Sequence, residues 1–291
     1  MRILKTIACM TTLSFCTALI PKINTEAASV GPVPGSDFQY DLTAKIVDHA
    51  FKIGDTQIYA GDVAVTFEVT NNPGMTSYST KLVFDDRYEL IDYEAEHFNV
   101  SQDAYNRETN TFVYAAANSN TFGEFTDEFS NVFYFRPNES LSYTTGTGFQ
   151  MTLLSYKSEA ENISYSVNAN TSSPDKIVRG AVFANFILGD INGDGIISVD
   201  DASNTSFLAA RSQYLIGSTS IKDINTLLYN DEILRSKLPN LICADVADAN
   251  LNGVIEQEED TQAILDYYAN HGAGNPVSGL VGKKITRTFF L

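Results

Sequence analysis

Two acidic loops whose first residues are 58 positions apart, Asp190 to Asp201 and Asp248 to Glu259, constrain this chain more than any other feature. In the first, oxygen-bearing side chains fall at loop positions 1, 3, 5, 9 and 12 (Asp190, Asn192, Asp194, Ser198 and Asp201), with Gly195 at position 6. The second repeats the scheme with Asp248, Asn250, Asn252, Glu256 and Glu259 around Gly253. A tightly curled loop aims alternate residues at one centre, and glycine supplies the backbone angle that the curl needs. Calcium requires about six to eight hard oxygen donors, and position 7 adds a backbone carbonyl, here from Ile196 and Val254. The spacing predicts two bound calcium ions.

An apolar, partly β-like run, Val182 to Leu188, leads into the first loop and leaves no room for a helix before it. After each loop the sequence turns helix-compatible, over Ala202–Arg211 and Thr261–Ala269. Between them, Ile221, Ile224, Leu227 and Leu228 fit one helical face, which predicts a helical connection. Duplicated units of loop plus exiting helix, the first opening Gly189-Asp190-Ile191-Asn192-Gly193-Asp194-Gly195, resemble a dockerin, the calcium-folded plug of cellulosome assembly. The resemblance covers about residues 186–271, although dockerins usually hold their loops closer together. It implies that partner recognition lies at loop positions 10 and 11 and about one and a half helical turns further on. Those positions are Val199, Asp200, Ser206 and Phe207 in the first repeat, and Gln257, Glu258, Ile264 and Leu265 in the second. The two sets are unlike, so the repeats are not expected to present equivalent faces.

From residue 36 to 185 the composition shifts to Val, Thr, Tyr and Phe in short alternating runs broken by Gly, Asn and Pro, as in Val63–Val69, Tyr78–Phe84 and Val132–Arg136. Period-two alternation at this spacing predicts an antiparallel β-sandwich of about nine strands. Within it, Gly61–Val69, Asn71–Met75 and Leu82–Asp85 resemble the opening of a cohesin, the nine-stranded jelly-roll module that receives dockerins. The expected fold is therefore mainly β with a small α part: a cohesin-like jelly-roll sandwich followed by a paired calcium loop–helix module. The apolar phase Tyr78, Leu82, Phe84 should face the core and turn Ser77, Ser79, Lys81 and Val83 outward. The resemblance makes this the docking sheet, and Tyr114, Ala116 and Asn118 on one phase of the neighbouring run are taken as partner-facing.

At the front, Arg2 and Lys5 precede an apolar stretch from Ile7 to Ile20, and Thr25-Glu26-Ala27 offers a cleavage site, which predicts an export signal over residues 1–27. Cys9 and Cys16 leave with it, so Cys243 alone remains and stability must come from burial and metal rather than a disulfide. A formal charge of −17 disfavours nucleic acid and anionic lipid as partners.

Signal, cohesin and dockerin in one chain resemble a cellulosomal adaptor scaffoldin. That implies a non-catalytic, extracellular protein whose cohesin captures dockerin-bearing enzymes or proteins while its dockerin docks into a cohesin of a larger scaffoldin. Residues 272–291 are read as a tail without assigned role. His49, His97 and His271 form no HExxH motif, and no Gly-x-Ser-x-Gly elbow is present. A carbohydrate-binding or calcium-dependent surface adhesion protein is the alternative, but the absence of Trp removes the strongest sugar-stacking platform.

Overall fold

In the Val63–Thr70 segment, β-branched and aromatic residues at every second position form one continuous apolar stripe, and such a stripe is stable only when a second sheet covers it. A computed structural model describes residues 39–70, 72, 75–95, 99–117, 128–141, 146–160, 163–168 and 175–291. The expected export signal and Asn118 lie outside the described residues. In chain order the strands are β1 (Gln39–Ile46), β2 (Phe51–Ile53), β3 (Thr56–Ile58), β4 (Val63–Thr70), β5 (Met75–Phe84), β6 (Tyr88–Ala95) and β7 (Asn99–Asn106). There follow β8 (Thr111–Ala117), β9 (Phe129–Pro137), β10 (Phe149–Ala160), β11 (Ile163–Asn168), β12 (Lys176–Val178) and β13 (Ala181–Ile187). The C-terminal part holds α1 (Val199–Ile216), α2 (Ile221–Asn230), α3 (Glu232–Lys237), a 3-10 turn (Ala244–Ala247), α4 (Glu259–Gly272) and β14 (Lys284–Phe290).

Two antiparallel sheets form the sandwich, one ordered β1-β4-β9-β6 and the other β11-β10-β5-β8-β7. β12 also pairs with β10, through Phe149–Met151, while β11 pairs further along at Ser155–Ala160, so the two lie end to end on one edge. Among the described residues the second sheet thus holds six strands in five positions beside a first sheet of four, and β2 and β3 form a separate hairpin, against the about nine strands expected. The chain crosses between sheets at β4 to β5, β5 to β6, β6 to β7, β8 to β9 and β9 to β10. Val63, Val65, Phe67 and Val69 face the other sheet fully buried, against Tyr78, Leu82, Phe112, Tyr114 and Phe149. Each such side chain contributes about 1.5–3 kcal/mol on burial. Asn131 breaks the apolar pattern of β9 but is satisfied in the core, where it donates to the Tyr78 hydroxyl and its Oδ1 accepts from Tyr114. Tyr78 and Tyr114 hydroxyls also meet at 3.2 Å.

Beyond β12 the chain departs from a simple two-module plan. β13 joins neither main sheet; it pairs along its whole length with β14, from Ala181 opposite Phe290 to Ile187 opposite Lys284. The run Lys284–Phe290 therefore acts as a strand, its alternation burying Phe289 while Lys284 stays out. In β13 the same alternation buries Ala184 and Phe186 and leaves Phe183 64 % exposed. The expected sandwich boundary at 185 thus falls inside a strand that belongs to the junction. α1 is longer than expected, opened by Ser198, whose side chain and that of Asp201 form a capping box, and closed by Gly217 in the left-handed region. α2 buries Ile221, Ile224 and Leu228 on the expected face. Among the described residues one large apolar cluster runs from Tyr40 in the first sheet to Leu291, and a smaller one gathers Val47, Ile58, Ala64 and Tyr134.

Candidate metal loops and docking faces

The first acidic loop begins directly after β13. Asp190 accepts from the backbone of Asp194 through Oδ1 (3.1 Å) and of Gly195 through Oδ2 (3.0 Å). Asn192 Oδ1 accepts from Asp194 N (3.0 Å), and Asp194 Oδ1 from Ile196 N (2.8 Å). Asp201, the first-turn acid of α1, ties the ends together: its Oδ1 accepts from Ile191 N and Asn192 N at 2.9 and 3.1 Å, its Oδ2 from Ser198 N at 2.9 Å. Gly193 and Gly195 hold φ of 68° and 82°, the left-handed angles on which the curl depends.

The second loop repeats this scheme. Asp248 accepts from Asn252 N (3.1 Å) and Gly253 N (2.8 Å), Asn250 Oδ1 from Asn252 N (2.9 Å) and Asn252 Oδ1 from Val254 N (2.9 Å). The equivalent of Asp201, however, is Asp260 and not Glu259: Asp260 Oδ1 accepts from Ala249 N (2.9 Å) and Oδ2 from Glu256 N (2.7 Å). Glu259 is exposed on the first turn of α4. The second loop has one residue more between Ile255 and Asp260 than the first has between Ile197 and Asp201, which moves the closing acid one position along. Two consecutive acids, Glu259-Asp260, stand here in the sequence; twelve-residue spacing points to Glu259, whereas the hydrogen bonds that close the loop come to Asp260.

Carboxylates crowd each loop. Burial raises the Asp190 pKa, with the charges of Asp201 and Asp194 adding to the shift. Burial likewise raises Asp248 and pushes Asp260 up to about 7, with Asp248 and Glu256 adding to the latter. Among the described residues, no three His, Cys, Asp or Glu side chains form a metal cluster by themselves. The donor sets here are mixed, carboxylate with the amides of Asn192, Asn250 and Asn252 and the hydroxyl of Ser198, and a mixture of hard oxygens is what suits calcium. Glu256 Oε2 is buried without a hydrogen-bond partner, an acceptor whose burial is costly unless a proton or a cation meets it. The residues of the loops fit the ion. The Ile196 side chain stands out in solvent, and Val254 forms an isolated antiparallel bridge with Ser220 just before α2.

On the sandwich, Ser77, Ser79, Lys81 and Val83 alternate with the buried Tyr78, Thr80, Leu82 and Phe84 and lie on the outer face of β5, as the apolar phase required. The assignment on β8 is corrected. Tyr114 and Ala116 are 1 % and 2 % exposed and lie in the core, because Phe112 and Tyr114 share a phase and two aromatics outweigh the alanines in deciding which side turns inward. The outward residues are Thr111, Val113, Ala115 and Ala117, opposite Val83, Lys81, Ser79 and Ser77 respectively. Gln150 and Thr152 of β10 flank Val83 and Lys81 on the other side. The result is a broad sheet face of small and weakly polar side chains.

In the loop–helix pair, Val199, Asp200, Gln257 and Glu258 are exposed, and Ser206, Phe207 and Leu265 are partly covered. Ile264 is wholly buried and is withdrawn from the candidate face. With Asp260 as the anchor of α4, the residues matching Ser206 and Phe207 become Leu265 and Asp266. Gln257 Nε2 donates to Ser206 Oγ (3.0 Å), so the two repeats meet on one surface.

No family model matches the chain, and no curated protein does. Among solved structures, the seventh ScaB type I cohesin from Pseudobacteroides cellulosolvens is 20 % identical over 47 % of this chain and 92 % of its own, with a TM-score of 0.28. The sixth cohesin of Acetivibrio cellulolyticus scaffoldin B, solved in complex with a Cel5 dockerin mutant, is 12 % identical over 45 % of this chain and 99 % of its own, with a TM-score of 0.27. The major pilin SpaD from Corynebacterium diphtheriae scores similarly, 13 % identical over 53 % of this chain and 43 % of its own at a TM-score of 0.29. Likenesses this slight add nothing to what the strand order itself establishes.

Proposed function

We propose that this chain is a non-catalytic extracellular adaptor. Its sandwich captures a dockerin-type module on the outer face of β10, β5 and β8, and its calcium-loaded loop–helix pair docks into a cohesin-type module of a larger scaffold. The observation that carries the reading is the second acidic loop, which reproduces the hydrogen-bond scheme of the first and leaves a buried carboxylate oxygen of Glu256 without a partner. Two calcium ions would be held by Asp190, Asn192, Asp194, Ser198 and Asp201 with the Ile196 carbonyl, and by Asp248, Asn250, Asn252, Glu256 and Asp260 with that of Val254. The ions would neutralise the crowded carboxylates and fix both exiting helices. On the sandwich side, small residues at Ser77, Ser79, Ala115 and Ala117 let a partner helix approach the sheet closely, and Lys81 supplies a positive charge in a chain of formal charge −17. No helix among the described residues is long and apolar enough to cross a membrane.

Calorimetric titration of the metal-free protein with calcium tests the ion sites; two bound ions are expected, and none bound overturns the reading. Capture of dockerin-bearing proteins from culture supernatant, with and without Ala115→Arg, tests the sandwich face.

A further inference from the structure

α3 inserts a charged side chain into the sandwich. Arg235 Nη1 donates to the Ala60 carbonyl (2.8 Å) and Nη2 to Asp62 Oδ1 (2.9 Å). Asp62 is 0 % exposed and takes a second guanidinium from within the sandwich, Arg136 Nη2 at 3.0 Å. The Arg235 guanidinium lies 5.1 Å from the ring centre of Tyr59, on the sandwich side, and 4.9 Å from that of Tyr229 in α2. Paired and covered in this way, a buried charge is tolerated; stripped of one partner it becomes a liability.

The segment after α3 continues the joint. Ala60 N donates to the Pro239 carbonyl (3.0 Å). Asn240 accepts from Ala50 N through Oδ1 (2.8 Å) and donates through Nδ2 to the Asn192 carbonyl of the first acidic loop (3.0 Å), so one side chain spans both halves. Gly61 runs so close to Ile242 that a Cβ there would stand 2.7 Å from its carbonyl oxygen. On a separate path, β14 leads back to the sandwich, where Phe290 N donates to the Leu141 carbonyl (2.7 Å) and Gly146 N to that of Leu291 (3.1 Å).

From these contacts we infer that the helical connection between the acidic loops is a clasp, centred on Arg235 and Asn240, that makes the sandwich and the loop–helix pair one cooperative folding unit. The inference does not depend on the adaptor reading, since it concerns contacts within the chain. It explains why the connection is long: a short link between the loops would not reach Asp62. Hydrogen exchange read by mass spectrometry across a urea series, in calcium-containing buffer, separates the halves without altering the protein. Peptides from β4 and α1 should become unprotected at the same urea concentration, and Arg235→Met should lower both midpoints together by roughly 1 M. Loss of protection in α1 well before β4 in the unaltered chain, or a shift confined to one half in R235M, overturns the clasp. Asn240→Ala removes two hydrogen bonds without stranding a charge and repeats the comparison at smaller amplitude should R235M not fold.

Discussion

Asp260 and Glu259 are neighbours with opposite surroundings, one folded back over the loop and the other in solvent, and they give the sharpest residue-level test. Asp260→Asn should weaken calcium binding at the second loop by at least about tenfold, since it removes both a candidate donor and the brace that shapes the loop. Glu259→Gln should leave the titration unchanged. A D260N protein that binds two ions with native affinity would return the twelfth position to Glu259. The pair Ala115 and Ala116 plays the same part on the sandwich. Ala115→Arg is expected to block capture of an incoming module while the thermal midpoint holds, because the side chain points outward. Ala116→Arg is expected to prevent folding, because that position is in the core and an unpaired guanidinium there has no partner. Equal capture by A115R and the parent protein would remove the β8 face from the docking surface.

Among the elements, α1 depends on its first turn. Ser198 Oγ accepts from Asp200 N (3.1 Å), and Ser198→Ala should cost about 1 kcal/mol, a fall of about 2–4 °C in thermal midpoint by scanning calorimetry. Strands β4 and β5 and helix α2 were legible in the sequence because their periodicities are clean and each buries one stripe. β8 was legible as a strand but not in phase, since Phe112-Val113-Tyr114-Ala115-Ala116-Ala117 presents apolar residues on both faces and only the weight of its aromatics sorts them. β14 was not legible at all: Lys284 to Phe290 carries four charged or hydroxyl residues before its aromatics, and it becomes a strand only because β13 offers an edge 97 residues earlier in register, Ile187 opposite Lys284. The turns of the two acidic loops were legible from their spacing, apart from the one residue added between Ile255 and Asp260. Side-chain spacing identifies a loop, whereas the hydrogen bonds that close it show which acid is used.

For the molecule as a whole, ion removal should be felt well beyond the loops. Chelation is expected to lower the thermal midpoint of the sandwich as well as reduce helical circular dichroism, because Asn240 bonds to the backbone of the first loop and of the sandwich together. An unchanged sandwich midpoint in excess chelator would show that loop occupancy does not reach it. The Asp62 joint also bears on how such a chain can be altered by recombination. A gene segment ending near residue 178 and spliced into another scaffold would carry Asp62 with Arg136 but without Arg235, and a Gly61 shaped to a neighbour left behind. Its recipient would inherit a sandwich with an opened end. Inheritance should therefore favour exchange of the whole stretch from β1 to β14, with variation confined to the outward side chains of β5 and β8 and the exposed residues beside the loops.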